Sequence, residues 1–207
     1  MKRVGFVVGT FEAWRRSSSS ILLTSLLCSV NVLFAEPVRV VMETSAGNIE
    51  VAVSTKRAPK TAANFLRYVD AGLYDGGTFH RSVRMDNQPH NDIRIEVIQA
   101  SADTSRKAKF FDMVPLERTS VTGLKHLDGT ISMARTRPDT ARDDFFICIG
   151  DQPSLDFGGM RNPDGQGFAA FGKVIKGMDV VRKIHQSPVN EQKIAPPVRI
   201  HRVFRKQ

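Results

Sequence analysis

The sequence predicts a closed antiparallel β-barrel. Two observations carry that expectation. Roughly eight short runs between Val38 and Phe204 have strand character, most of them alternating apolar and polar residues. Only two segments, one near each end of that span, repeat apolar residues at helical spacing. A third observation removes the main competitor. Strands and helices do not alternate, so a doubly wound parallel sheet is not expected. Many short strands with few helices are accommodated by closing the sheet on itself, which leaves no exposed edge. A length of 207 residues, 41% hydrophobic and 25% charged, suits one globular domain.

The first 35 residues stand apart. Lys2, Arg3, Arg15 and Arg16 form a basic lead, and residues 21–35 (ILLTSLLCSVNVLFA) are almost uninterruptedly apolar. A basic region, an apolar stretch and a small residue at the end make a secretory signal peptide, with cleavage expected after Ala35. The apolar stretch is short for a spanning helix, which needs about 20 residues. A permanent membrane anchor is the alternative and is not expected. Residues 36–207 would then be the mature domain, periplasmic or secreted. The leader holds four of the 30 Lys and Arg and one of the 21 Asp and Glu, leaving 26 basic and 20 acidic residues. These charges are scattered and form no stripe interleaved with aromatics, which argues against nucleic acid as a partner. Of the two cysteines, Cys28 lies in the leader and Cys148 in an apolar strand-like run, so an internal disulfide in the mature chain is excluded.

The elements follow in order. Val38 to Thr44 and Ile49 to Val53 alternate around Ala46-Gly47-Asn48 and read as a hairpin. Pro59 opens a helix, because its missing N–H has no partner at the first helical position anyway. Ala62, Phe65, Leu66, Val69 and Leu73 give that helix one apolar face, and Gly72 ends it. Thr78 to Arg81 is a strand. Residues 85–92 (MDNQPHND) are a polar surface loop, and Ile93 to Gln99 is the next strand. Ala102 to Lys109 reads as a loop. Thr130 to Arg135, Phe145 to Ile149, Phe168 to Ile175 and Val198 to Phe204 are further strands. Residues 157–167 form a long exposed loop, and Gly177 to Gln186 a second helix.

Several of these runs together resemble the cyclophilin family of peptidyl-prolyl cis-trans isomerases. They are Pro59-Lys60-Thr61-Ala62-Ala63-Asn64-Phe65, Phe79-His80-Arg81, residues 129–134 (GTISMA), Phe145-Phe146-Ile147, and Phe171-Gly172-Lys173-Val174 followed by residues 177–181 (GMDVV). Five ordered matches span nearly all of residues 38–204. The resemblance implies an eight-stranded antiparallel barrel capped by two α-helices, an outer groove for proline-containing polypeptides, and no cofactor. It implies that Arg81 is catalytic and that Gln99 orients substrate and arginine. It implies that Phe146 and Leu155 wall a proline pocket, that Ala134 and Arg135 flank the bound peptide, and that Phe168 lies at the pocket rim. Nothing in the sequence marks an oligomer, and a monomer is expected.

The departures from the family pattern fall on the pocket. Glu96 stands where a phenylalanine is usual, Val97 where a methionine is, Asp144 where a glutamine is, and Ser154 where an aromatic is. The segment from Arg81 to Gln99 is about ten residues longer than usual. Glu96 and Asp144 are therefore counted with the substrate-binding residues. Two consequences are open at this level. A carboxylate paired with Arg81 would hold it from substrate, leaving a proline-peptide-binding or chaperone-like module with weak or no isomerase activity. Alternatively, the carboxylates would select a basic residue near proline. The histidines are dispersed, without metal-ligand spacing. There is no phosphate loop and no nucleophile elbow.

Overall fold

The structure, a computed structural model, describes residues 37–206. The predicted leader and its cut after Ala35 lie outside the described residues. The strands are β1 (Val38–Thr44), β2 (Gly47–Val53), β3 (Thr78–Val83), β4 (Val97–Ser101), β5 (Thr130–Met133), β6 (Phe145–Cys148), β7 (Ala169–Lys176), β8 (Val189–Asn190) and β9 (Lys193–Arg205). They pair antiparallel in the order β1-β2-β7-β5-β6-β4-β3-β9, and β9 pairs back onto β1. Eight strands therefore close into a barrel. The two-residue β8 is an extra ribbon on the start of β9.

Strand alternation sorts the side chains. Val40 and Met42 of β1 and Ile49, Val51 and Val53 of β2 are fully buried, as period-two patterning requires. The main core gathers rings from strands and helix. Phe65 meets Tyr74, Phe145 and Phe171 at centroid distances of 5.3, 5.7 and 5.0 Å. A second, smaller apolar cluster lies apart from it and comprises Val83, Ile95, Val97, Phe146, Cys148, Leu155 and Phe168. Neighbours on one strand thus divide between the two clusters: Phe145 and Ile98 join the main core, Phe146 and Val97 the smaller one.

The two predicted helices are α1 (Pro59–Asp70) and α3 (Met178–His185), and α2 (Thr119–Thr122) adds a single turn between them. The α1 helix packs on β7 and β9, and α3 on β2, β3 and β4. The N-terminus of α1 is capped from a distance. Glu117 accepts from the Lys60 and Thr61 amides at 3.1 and 2.7 Å, satisfying donors that a helix leaves orphaned. Gly177 precedes α3 with φ of 87°, and a Cβ there would meet the Asn48 carbonyl oxygen at 2.3 Å.

Three expectations are corrected. Strand β4 starts at Val97, so residues 93–96 approach it without ladder pairing. Residues 104–109, read as loop, contain a 3-10 turn capped by Asp103, whose carboxylate accepts from the Ser105 amide at 3.0 Å. Strand β9 begins at Lys193, five residues before the expected start. Pro196 and Pro197 hide that start, because residues without an N–H argue against a strand. They fall between Ile194 and Val198, where the ladder makes no pair.

Candidate active site

Strand β3 places Arg81 by means of a β-bulge. Phe79 pairs with Ala100 and Arg81 with Gln99, so His80 is an extra residue in the ladder. Side chains two apart on a regular strand share a face. The extra residue breaks that rule: Phe79 is buried in the main core, while Arg81 faces out. The row continues across the barrel, since Gln99 also pairs with Phe146 of β6.

The Arg81 fork is held by two amides. Its Nη1 donates to Gln99 Oε1 at 3.0 Å, and its Nε and Nη2 donate to Gln192 Oε1 at 3.0 and 2.6 Å. Gln192 lies between β8 and β9 and donates in turn to the Asn87 carbonyl at 2.9 Å. Asn87 donates to the Ser82 and Glu191 carbonyls, both at 3.0 Å. Gln99 Nε2 donates to Asp144 at 2.8 Å. Both acceptors on Arg81 are neutral, so the guanidinium keeps an uncompensated charge and spare N–H groups for a ligand. Burial holds the Arg81 pKa below its ordinary value but leaves the group a cation. Burial raises the Asp144 pKa, opposed by the Gln99 bond.

Arg81 borders a groove of about 530 Å³. Nine of the ten residues singled out from the sequence line it: Arg81, Val97, Gln99, Ala134, Arg135, Asp144, Phe146, Leu155 and Phe168. Its apolar end is built from Val97, Phe146, Leu155 and Phe168 with Ile95. Phe146 and Phe168 meet edge to face at 5.3 Å. Behind Phe146, His126 stacks on the ring at 5.9 Å, with Nδ1 2.8 Å from Asp156 and Nε2 3.0 Å from Ser132 Oγ. Burial pushes Asp156 up, but the bonds to and charge of His126, with Lys125, hold it below the usual carboxylate range.

Glu96 is the exception. Ile95 and Val97 both turn toward the groove, so the residue between them points away. Its carboxylate lies 4.0 Å from His185 Nε2, outside the groove. Ile95 stands in the pocket instead and supplies an aliphatic wall. Of the two consequences left open by the sequence, direct pairing of a carboxylate with Arg81 is not seen, since Asp144 reaches it only through Gln99. Arg135 lines the groove, but its side chain is 1% exposed and clamped by Asp164 and the Gly167 carbonyl, which ties down residues 157–167.

Known proteins share this sequence pattern and fold. The family described as "Cyclophilin type peptidyl-prolyl cis-trans isomerase/CLD" matches residues 39–204. The chain belongs to the cyclophilin family. Among its relatives, peptidyl-prolyl cis-trans isomerase A of Dickeya dadantii is 39% identical over 76% of this chain and 75% of its own. A peptidyl-prolyl cis-trans isomerase of Acinetobacter baylyi is 37% identical over 83% of each chain. A Cryptosporidium parvum cyclophilin superposes with a TM-score of 0.63 at 21% identity, over 83% of this chain and 98% of its own, a likeness of fold.

Within this cyclophilin frame, sequence reasoning missed Gln192, Asn87, Ile95 and Arg161. Gln192 is 111 positions from Arg81 and carries no local signal. Ile95 was legible from its alternation with Val97, had the groove face been assigned.

Proposed function

We propose that this cyclophilin is a peptidyl-prolyl cis-trans isomerase that works on exported polypeptides and assists their folding. An X–Pro bond resists rotation with a barrier of about 20 kcal/mol, because resonance stiffens C–N. Twisting breaks that resonance and leaves a lone pair on the prolyl nitrogen. A donor aimed at this nitrogen is worth more in the twisted state than in either planar one, so it lowers the barrier. No covalent intermediate and no proton transfer are needed. The observation that carries the reading is the Arg81 fork, fixed by Gln99 and Gln192 beside the apolar end of the groove, which suits a proline ring. Proline enters among Ile95, Val97, Phe146, Leu155 and Phe168. The peptide backbone runs past Ala134 and Arg135.

The test is a protease-coupled or NMR-exchange assay on a set of X–Pro peptides, with Arg81→Ala as control. Wild type is expected to isomerise them faster. Equal rates on every peptide would overturn the reading and leave a proline-peptide-binding module.

Export rests on the leader. Strand β1 begins at Val38, close behind the proposed cut after Ala35. Among the described residues no helix is long and apolar enough to cross a membrane. N-terminal sequencing of the processed protein is expected to start at Glu36, and retention of Met1 or Lys2 would refute cleavage.

A further inference from the structure

A second arginine shares the groove. Arg161, from the loop of residues 157–167, lines it together with Arg81. Its Nη1 donates to the Ile93 carbonyl at 2.6 Å, across to the segment between β3 and β4. Among the described residues neither Arg81 nor Arg161 has a carboxylate partner: one meets two amide oxygens, the other a backbone carbonyl. The other arginines of the groove are matched. Arg135 is clamped by Asp164, and Arg142 lies 3.5 Å from Asp143. Asp144 is bonded by the neutral Gln99 amide and, among the described residues, forms no ion pair.

Two guanidinium groups thus sit half-buried in one groove, and neither is in direct contact with a carboxylate. Both stay charged, and the charge of Arg81 acts on Arg161, adding to burial in holding its pKa below the ordinary value. Partly desolvated like charges destabilise each other, and a ligand anion recovers that free energy. Arg161 spends one N–H on Ile93, which leaves donors for a carboxylate.

We propose that Arg161 forms a subsite for an acidic side chain, so that preferred substrates carry Glu or Asp beside the proline. The proposal rests on the isomerase reading and names the substrate class of that site. The carboxylate bonds to Arg161 within the field of Arg81, while the Arg81 fork stays on the prolyl nitrogen. A basic residue would instead have to reach Asp144, which Gln99 links to Arg81, and peptides with Lys test that opposite preference.

The experiment uses two peptide sets, one varying the residue before proline and one the residue after it, each as Glu, Gln or Lys. Binding is read by NMR titration and kcat/KM by exchange. In one set Glu is expected to exceed Gln by about two- to fivefold, the upper part of the range for an exposed charge pair. Lys falls below Gln, and the Glu advantage shrinks at about 0.5 M salt, where charges are screened within a few ångströms. The Glu-to-Gln ratio falls to one in Arg161→Gln and survives in Arg161→Lys, which separates charge from loop tethering. Equal Glu and Gln in both sets, or a ratio unchanged in Arg161→Gln, overturns the subsite. If no peptide turns over faster than with Arg81→Ala, the isomerase reading fails, and the binding ratios alone decide the subsite.

Discussion

At the scale of the residue, the site turns on how Arg81 is supported. A guanidinium with one anchor swings, whereas Arg81 is gripped on both sides by amide oxygens that leave its charge intact. Replacing Arg81 with Ala is expected to lower kcat/KM by about 10²- to 10³-fold, the cost of losing one preorganised donor group. Arg81→Lys should not restore it, because an ammonium cannot span Gln99 and Gln192 in one plane. Gln192→Ala tests the support itself. It should lower kcat by about tenfold with KM nearly unchanged, since misplaced donors cost transition-state rather than ground-state contacts. A fall confined to thermal stability, with kcat intact, would make Gln192 merely structural. Cys148 is a contrasting residue. Burial pushes its thiol pKa well up, so in a Cys28→Ser protein an aromatic disulfide reagent should label it only after denaturation.

At the scale of the element, the groove wall depends on what stands behind it. His126 bridges Asp156 and Ser132 while stacking on Phe146. His126→Ala should cost about 2–4 kcal/mol in urea denaturation, because it opens a cavity and strands two polar partners. The sign of the pH dependence follows from Asp156. Its folded pKa lies below the usual value. Its contribution is therefore fully present above the unfolded carboxylate pKa of about 3.9 and is lost as pH falls through the lower folded value. Urea midpoints at pH 6 and pH 3 should drop more for wild type than for Asp156→Asn. Elements with strong patterning were legible in the sequence: the first hairpin, α1, α3 and the run through Phe145. The starts of β4 and β9 were not, because Ile93 to Glu96 alternate like a strand yet make no ladder, and Pro196-Pro197 look like a break inside one. The groove was legible where it lies on strands, at Arg81, Gln99 and Phe146. Off the strands, Leu155 and Phe168 were legible through the family resemblance, whereas Gln192 and Arg161 were not, since only tertiary closure brings those residues near.

At the scale of the whole molecule, the closed ring separates two tasks. The interior is filled by Phe65, Tyr74, Phe79, Phe145 and Phe171 and is a stability device. Phe145→Ala should destabilise by about 3–5 kcal/mol, measured by urea denaturation, while a variant that stays folded keeps its peptide rates. The next residue, Phe146, belongs to the groove, and Phe146→Ala should raise KM for proline peptides with a smaller loss of stability. The bulge at His80 also decides what can be moved to another scaffold. Written onto a regular strand, Phe79-His80-Arg81 would bury a guanidinium in the core beside the phenylalanine. A graft of this chemistry must therefore carry the phase slip with it: three residues on one strand facing Gln99 and Ala100 on the next. The transferable unit is an offset between two strands, and the arginine alone is not portable.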